Sequence, residues 1–224
     1  MNRKSRIEVI APRRAAGKRR QRRVRDTTKA LFRTAILDAA EEVFASSGFY
    51  GAKVQDVAAR AGVAVGTIYN HFGQKEDVLL ALLKQRMAET EKLLAPAPED
   101  PSAFEPKLVA VVERLLSYTT QHAAFFSVAV EHGLLGDATS AARRILAGRP
   151  LPHAGRIDRA WLDLVDEGIA AGALAPLDRE LAAAFLKHTL RSVARWARRS
   201  GRLALAEQAR TIAELFLRGA GRGY

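Results

Sequence analysis

Thr67, Tyr69, Asn70 and His71 crowd one short stretch of chain, with small Gly66 beside them. Hydroxyl, amide and imidazole groups on one helix face can exchange hydrogen bonds with base edges and phosphate oxygens, and a short helix fits a major groove. A structural helix of that length would more usually carry Glu and Lys there. The chemistry on offer is recognition of nucleic acid, not bond making. Groups for bond making do not assemble: the chain has no cysteine, no Gly-rich phosphate loop and no Ser elbow. Its carboxylates mostly lie near Arg residues, as on a solvated helix face. No catalytic residue and no cofactor is expected. His122, Glu131 and His132 lack the i, i+4 spacing of zinc-binding helices, so no metal is expected either.

Charge supports the same direction. Of 36 basic and 24 acidic residues in 224, eleven basic residues and a single acid, Glu8, fall within residues 1–25. The remainder holds 25 basic against 23 acidic side chains, so +10 of the net charge of +12 belongs to the N-terminal arm. Such a segment repels itself and buries nothing, which predicts a disordered arm with a polyanion as partner. Apolar residues make up 48% of the chain, enough for a core. The lack of cysteine fits a reducing compartment, no apolar run is long enough to span a bilayer, and the charged N-terminus lacks the apolar region of a secretory signal. A cytoplasmic protein, on the nucleoid when DNA-bound, is expected.

The elements that must position the polar cluster read as helices throughout, so the expected fold class is all-α. Sustained β alternation is missing. A first helix is predicted from Asp26–Thr28 to Ser46 or Ser47, with Ile36, Ala40, Val43 and Phe44 as one apolar stripe and Gly48 as its terminator. Two short helices, 54–61 and 65–72, flank a turn at Ala61-Gly62-Val63-Ala64. Two short helices joined by a Gly-containing turn make a helix-turn-helix, and Val57, Ala58, Val63, Ile68 and Phe72 are spaced to pack it against the first helix. A longer helix follows over 75–94. Pro96, Pro98 and Pro101 then break the chain. Helices are predicted beyond at 103–121, 123–134, 137–147, 154–171, 178–199 and 203–218. The resulting division is a disordered basic arm (1–26), a helix-turn-helix DNA-binding domain (27–74), a connecting helix with a Pro-rich linker (75–100), and a helical ligand-binding and dimerisation domain (101–220).

The run Arg33-x-x-Ile36-Leu37-x-Ala39-Ala40-x-x-Val43-Phe44-x-x-x-Gly48-Phe49 resembles the DNA-binding domain of TetR/AcrR-type transcriptional regulators. So does Val54-x-x-Val57-Ala58-x-x-Ala61-Gly62-Val63-x-x-Gly66-Thr67-Ile68-Tyr69-x-x-Phe72-x-x-Lys75-Glu76-x-x-Leu79 after it. The resemblance implies that the second short helix is a recognition helix with Val65, Gly66, Thr67, Tyr69, Asn70 and His71 facing DNA. It also implies that Lys75 holds a phosphate, that Lys53 and Gln55 approach the backbone or a base edge, and that Arg33 meets phosphate. One departure stands out. The family usually has Ser or Thr before each short helix, whereas this chain has Ala52-Lys53 and Ala64. Losing such a cap costs roughly 1 kcal/mol, so the motif is expected to be loosened or to offer free N–H groups to phosphate.

The resemblance further implies a palindromic operator of double-stranded DNA, a homodimer built through the last two helices, and a small hydrophobic or aromatic effector that releases a repressor. The interface candidates are Leu181, Phe185, His188, Ser192 and Trp196 on one helix and Leu205, Ile212, Leu215 and Phe216 on the next. Symmetry favours a dimer independently, because one short recognition helix makes few contacts. The pocket candidates are Leu115, Tyr118, Phe125, Phe126, Val130, Trp161 and Leu162. No membrane partner is expected. The rival reading is an inducer-free protein that compacts or marks DNA.

Overall fold

The computed structural model describes residues 11–97, 102–131, 149, 151 and 153–220. These are all-α, with no strand among them. The helices are α1 (Ala11–Gly51), α2 (Val54–Ala61), α3 (Val65–Phe72), α4 (Lys75–Leu94), α5 (Phe104–Gln121), α6 (Ala123–Glu131), α7 (Ala154–Ala170), α8 (Arg179–Ser200) and α9 (Leu205–Ala220). The helix expected at 137–147 lies outside the described residues. None of the described helices is long and apolar enough to cross a membrane.

One start differs from expectation. The first helix runs back to Ala11 instead of beginning near Asp26–Thr28, so residues 11–26 of the expected disordered arm are helical. Charge density led to the wrong conclusion there because Ala, Arg, Lys and Gln are all strong helix formers. They extend a helix already nucleated by its packed half, so no new nucleus is needed. Gly48, expected to terminate the helix, adopts φ 65° and ψ 168°, a kink that positive φ makes natural for glycine. The chain beyond it holds one further turn to Gly51.

The apolar stripe of α1 begins at Ile36. Ile36, Leu37, Ala40 and Phe44 are at most 1% exposed and form a small head with Val57 and Ala58 of α2 and Ile68 and Phe72 of α3. Gly62 (φ 66°, ψ 33°) ends α2 in the left-handed conformation, and the Val63 N–H reaches back to the Ala58 carbonyl at 3.0 Å, closing the turn tightly. The larger body is organised around α5. Its Leu108, Val111, Val112, Leu115 and Leu116 are at most 2% exposed, and α4, α6, α8 and α9 surround it. α7 covers α4 and α8. Gly168 is needed for this closure: a Cβ there would lie 2.5 Å from the Phe104 ring and 2.6 Å from Leu174. α4 and the α1–α6 contact carry the apolar core without interruption from head to body.

Candidate nucleic-acid interface

Ile68 and Phe72, 1% and 9% exposed, fasten one face of α3 to the head. The opposite face is turned outward. Gly66, Tyr69 and Asn70 are exposed, and Thr67, His71 and Val65 are half-buried at its margins, Val65 packed against the core. The six positions named from sequence thus share one short helix, with Asn70 exposed and Thr67 half-buried on it. No Cβ exists at Gly66 and nothing within 4 Å would meet one, so the backbone can come close to a groove wall there. Neither α2 nor α3 has a side-chain hydrogen bond at its N-cap, Lys53 and Ala64 respectively. Lys53 and Gln55 are exposed at the start of α2.

Two basic residues have positions that spacing alone did not reveal. The Arg33 guanidinium, on exposed α1, lies 4.7 Å from the centroid of Phe72, which ties α1 to the end of α3 by a cation–π contact. Lys75, expected at a phosphate, points instead into the end of α1. Its ammonium donates to the carbonyls of Phe49 (2.9 Å) and Ala52 (3.0 Å) and sits 4.6 Å over the Phe49 ring. Carbonyl oxygens at the C-terminal end of a helix carry partial negative charge, so Lys75 is a clasp between α4 and the chain at the end of α1.

A second constellation joins head to body. Arg86 on α4, 6% exposed, donates from Nε to Glu41 of α1 at 3.0 Å and from Nη1 to Glu89 at 2.7 Å. Glu41 also meets His122 Nδ1, just past α5, at 2.7 Å. The Tyr118 hydroxyl donates to Glu89 at 2.5 Å, and Asp38 stands 3.7 Å from Arg86. Burial alone would raise the pKa values of Glu41 and Glu89. Hydrogen bonds from His122 and Arg86 to Glu41, and from Tyr118 and Arg86 to Glu89, outweigh it and hold both carboxyls below their ordinary value. Tyr118 is pushed upward by burial and by the Glu89 carboxylate. Sequence reasoning placed Tyr118 in a pocket and missed Arg86, although a charged residue beside Leu82, Leu83 and Met87 on the apolar face of α4 was a usable signal. This network borders a polar cleft of about 500 Å³ lined by Asp38, Glu41, Glu42, Gln121, His122 and Arg198, among others.

The pocket candidates separate. Leu115, Phe125 and Trp161 are at most 4% exposed and pack in the core, where their aromatic and aliphatic spacing is fully used. Leu162 is half-buried beside them. Phe126 and Val130 rim a narrow crevice against α8. The interface candidates divide as well. On α8, Leu181 (69%), Phe185 (56%) and Trp196 (41%) are exposed, and His188 and Ser192 lie along the same helix. On α9, Ile212 and Phe216 are core instead, at 6% and 4%, because that face packs on α5; Leu215, at 67%, is the exposed apolar residue of the helix, and Leu205 is half-buried.

Comparison with known proteins bears on both halves. Residues 36–82 match the family described as bacterial regulatory proteins, tetR family, and residues 102–220 match the tetracyclin repressor-like C-terminal domain. The chain is 37% identical over 82 residues to the fatty acid metabolism regulator protein of Bacillus subtilis, a match covering 37% of this chain and 42% of that protein. It is 24% identical over 196 residues to the transcriptional repressor KstR2 of Rhodococcus jostii, covering 84% and 90% respectively. Among solved structures, the fold superposes with a TM-score of 0.67 and 25% identity on the transcriptional regulator FadR of Bacillus subtilis in complex with stearoyl-CoA, over 83% of this chain and 98% of that one.

Proposed function

The chain belongs to the tetR family of bacterial regulatory proteins and is a DNA-binding transcriptional regulator, and from that premise we propose that it is a homodimeric repressor released from a palindromic operator by an amphiphilic acyl effector. The observation that carries the reading is α3. Its apolar face is fixed in the head while Thr67, Tyr69 and Asn70 are left for base edges. Val65, Gly66 and His71 complete the groove face, Lys53, Gln55 and Arg33 flank it, and Lys75 sets the angle of α1 behind it. The exposed stripe of α8 with Leu215 of α9 supports a two-fold partner, which would place two recognition helices about 34–36 Å apart.

The effector class is drawn from relatives named for fatty acid metabolism and from the stearoyl-CoA complex. The body (102–220), joined to the head (27–74) by α4, is where it would bind, and residues 1–26 would add affinity for phosphates. Release requires the effector to favour a head spacing unsuited to the operator. The test is footprinting of the DNA upstream of the protein's own coding region, repeated with oleoyl-CoA. A protected palindrome that disappears on adding oleoyl-CoA is expected. Protection that spreads without a preferred sequence and ignores acyl compounds would favour the DNA-compacting alternative.

A further inference from the structure

The crevice between α6 and α8 holds a charge without a partner. Arg191 of α8 is half-buried, and among the described residues it makes no hydrogen bond or ion pair. Asp158 acts on it only through its field and is itself held by Lys187 at 2.9 Å. Burial lowers the pKa of Arg191 accordingly. A guanidinium partly withdrawn from water without gaining an anion is disfavoured, and charges so placed are normally paired. Beside it, Thr119 of α5 is 9% exposed and its hydroxyl also makes no hydrogen bond among the described residues. Arg195, one turn along α8, adds a second positive charge at the i+4 position, a repulsive arrangement unless an anion sits between them. The three line one crevice of about 20 Å³, room for a single small polar group. Phe126, half-buried, and Val130, 38% exposed, form its apolar rim.

We propose that Arg191, Arg195 and Thr119 form an anion subsite that receives the carboxylate or phosphate of an amphiphilic effector whose chain starts over Phe126 and Val130. The proposal rests on the effector reading above and adds the site and chemistry of its charged end. Arg191 supplies the fixed charge, Thr119 an O–H donor from the opposite wall, and Arg195 the gate at the solvent side. A fatty acid and an acyl-CoA both carry the required anion.

The test uses the full-length protein and four probes: oleate, oleoyl-CoA, coenzyme A alone, and methyl oleate as the neutral control. Dissociation constants are compared for wild type, Arg191→Gln and Arg191→Lys. Arg191→Gln is expected to weaken the anionic oleoyl probe by at least about tenfold and leave methyl oleate unchanged, with Arg191→Lys recovering part of the affinity. The unliganded Arg191→Gln protein should melt at or above the wild-type temperature, since an unpaired charge has been removed. Preference for oleate or for oleoyl-CoA, with coenzyme A alone as reference, identifies the source of the anion. Equal binding of anionic probes by wild type and Arg191→Gln would overturn the subsite while leaving the effector reading standing. Dissociation of the unliganded dimer on Arg191→Gln would also overturn it, by giving Arg191 a carboxylate of the second copy as partner. If wild type binds none of the four probes and keeps its operator, the effector reading falls and takes the subsite with it.

Discussion

Thr67 and Asn70 differ from the other polar residues of the head in having little structural work to do. Asn70 is exposed and Thr67 half-buried, both outside the core, while Ile68 and Phe72 hold the helix. Thr67→Ala and Asn70→Ala should each weaken operator binding by about 1–3 kcal/mol if the contact is to a base, with little change on scrambled DNA. Thermal stability should stay within about 0.5 kcal/mol. A gel-shift titration on both duplexes, with a melting curve, checks this. Arg86 is the opposite case. Replacing it with Met leaves half-buried Glu41 held by His122 and half-buried Glu89 held by Tyr118, a destabilisation of about 1–3 kcal/mol that denaturant unfolding will measure. Those carboxyls also set a pH dependence. Each has a folded pKa below the ordinary 4.5, so their contribution is complete above that value and disappears as pH falls through the lower native one. Glu41→Gln should therefore flatten the acid limb of a stability profile below about pH 4.5. Polar residues on α3 were legible in the sequence because they interrupt no apolar pattern. The Arg86 network was not, because its partners lie 45 residues apart in α1 and α4 and only packing brings them together.

At the scale of elements, α2, α3 and α4 follow the periodicity and the Gly62 turn closely, since local apolar spacing and a left-handed cap decide them. Helix α1 shows the limit of that logic. Composition separated residues 1–26 as a charged tail, yet helix propensity and an existing packed nucleus govern where the helix begins. As a helix, it places Arg22, Arg25, Lys29 and Arg33 at spacings of three and four, all exposed, in one row ending over Phe72 of α3. Changing Arg22, Arg25 and Lys29 together to Gln should flatten the plot of log K against log salt by about 0.9 for each phosphate that is no longer neutralised, with operator preference retained. Lys75→Met should behave otherwise. Because its ammonium is spent on the Phe49 and Ala52 carbonyls, the variant should lower the melting temperature of the head and leave the salt slope unchanged. A slope reduced by about 1 would return Lys75 to a phosphate.

For the whole molecule, the exposed apolar face of α8 is the feature a single copy leaves unexplained. Phe185→Glu together with Trp196→Glu should yield a folded monomer in sedimentation at micromolar concentration, with operator binding abolished because one half-site is too small a target. Helical content should be unchanged, since both side chains are exposed in one copy. The sequence could indicate such a face on α8 because its apolar residues recur at helical spacing. It could not apportion α9, where Ile212, Leu215 and Phe216 look alike until packing on α5 buries two and leaves one outside.

The long first helix has a mechanical consequence. From Ile36, where its burial starts, back to Ala11 the helix spans roughly 37 Å at about 1.5 Å per residue, a cantilever anchored at one end. Glu41, inside the anchored part, is gripped by Arg86 of α4 and by His122 at the end of α5. A change in the body that tilts α1 by as little as about 5° would sweep the free tip through about 3 Å, close to the ~3.4 Å between successive phosphates of one strand along the duplex axis. Small rearrangements around Arg86 would thus be geared up at the far end of the rod, and its exposed basic side chains would be carried along the strand by about one phosphate.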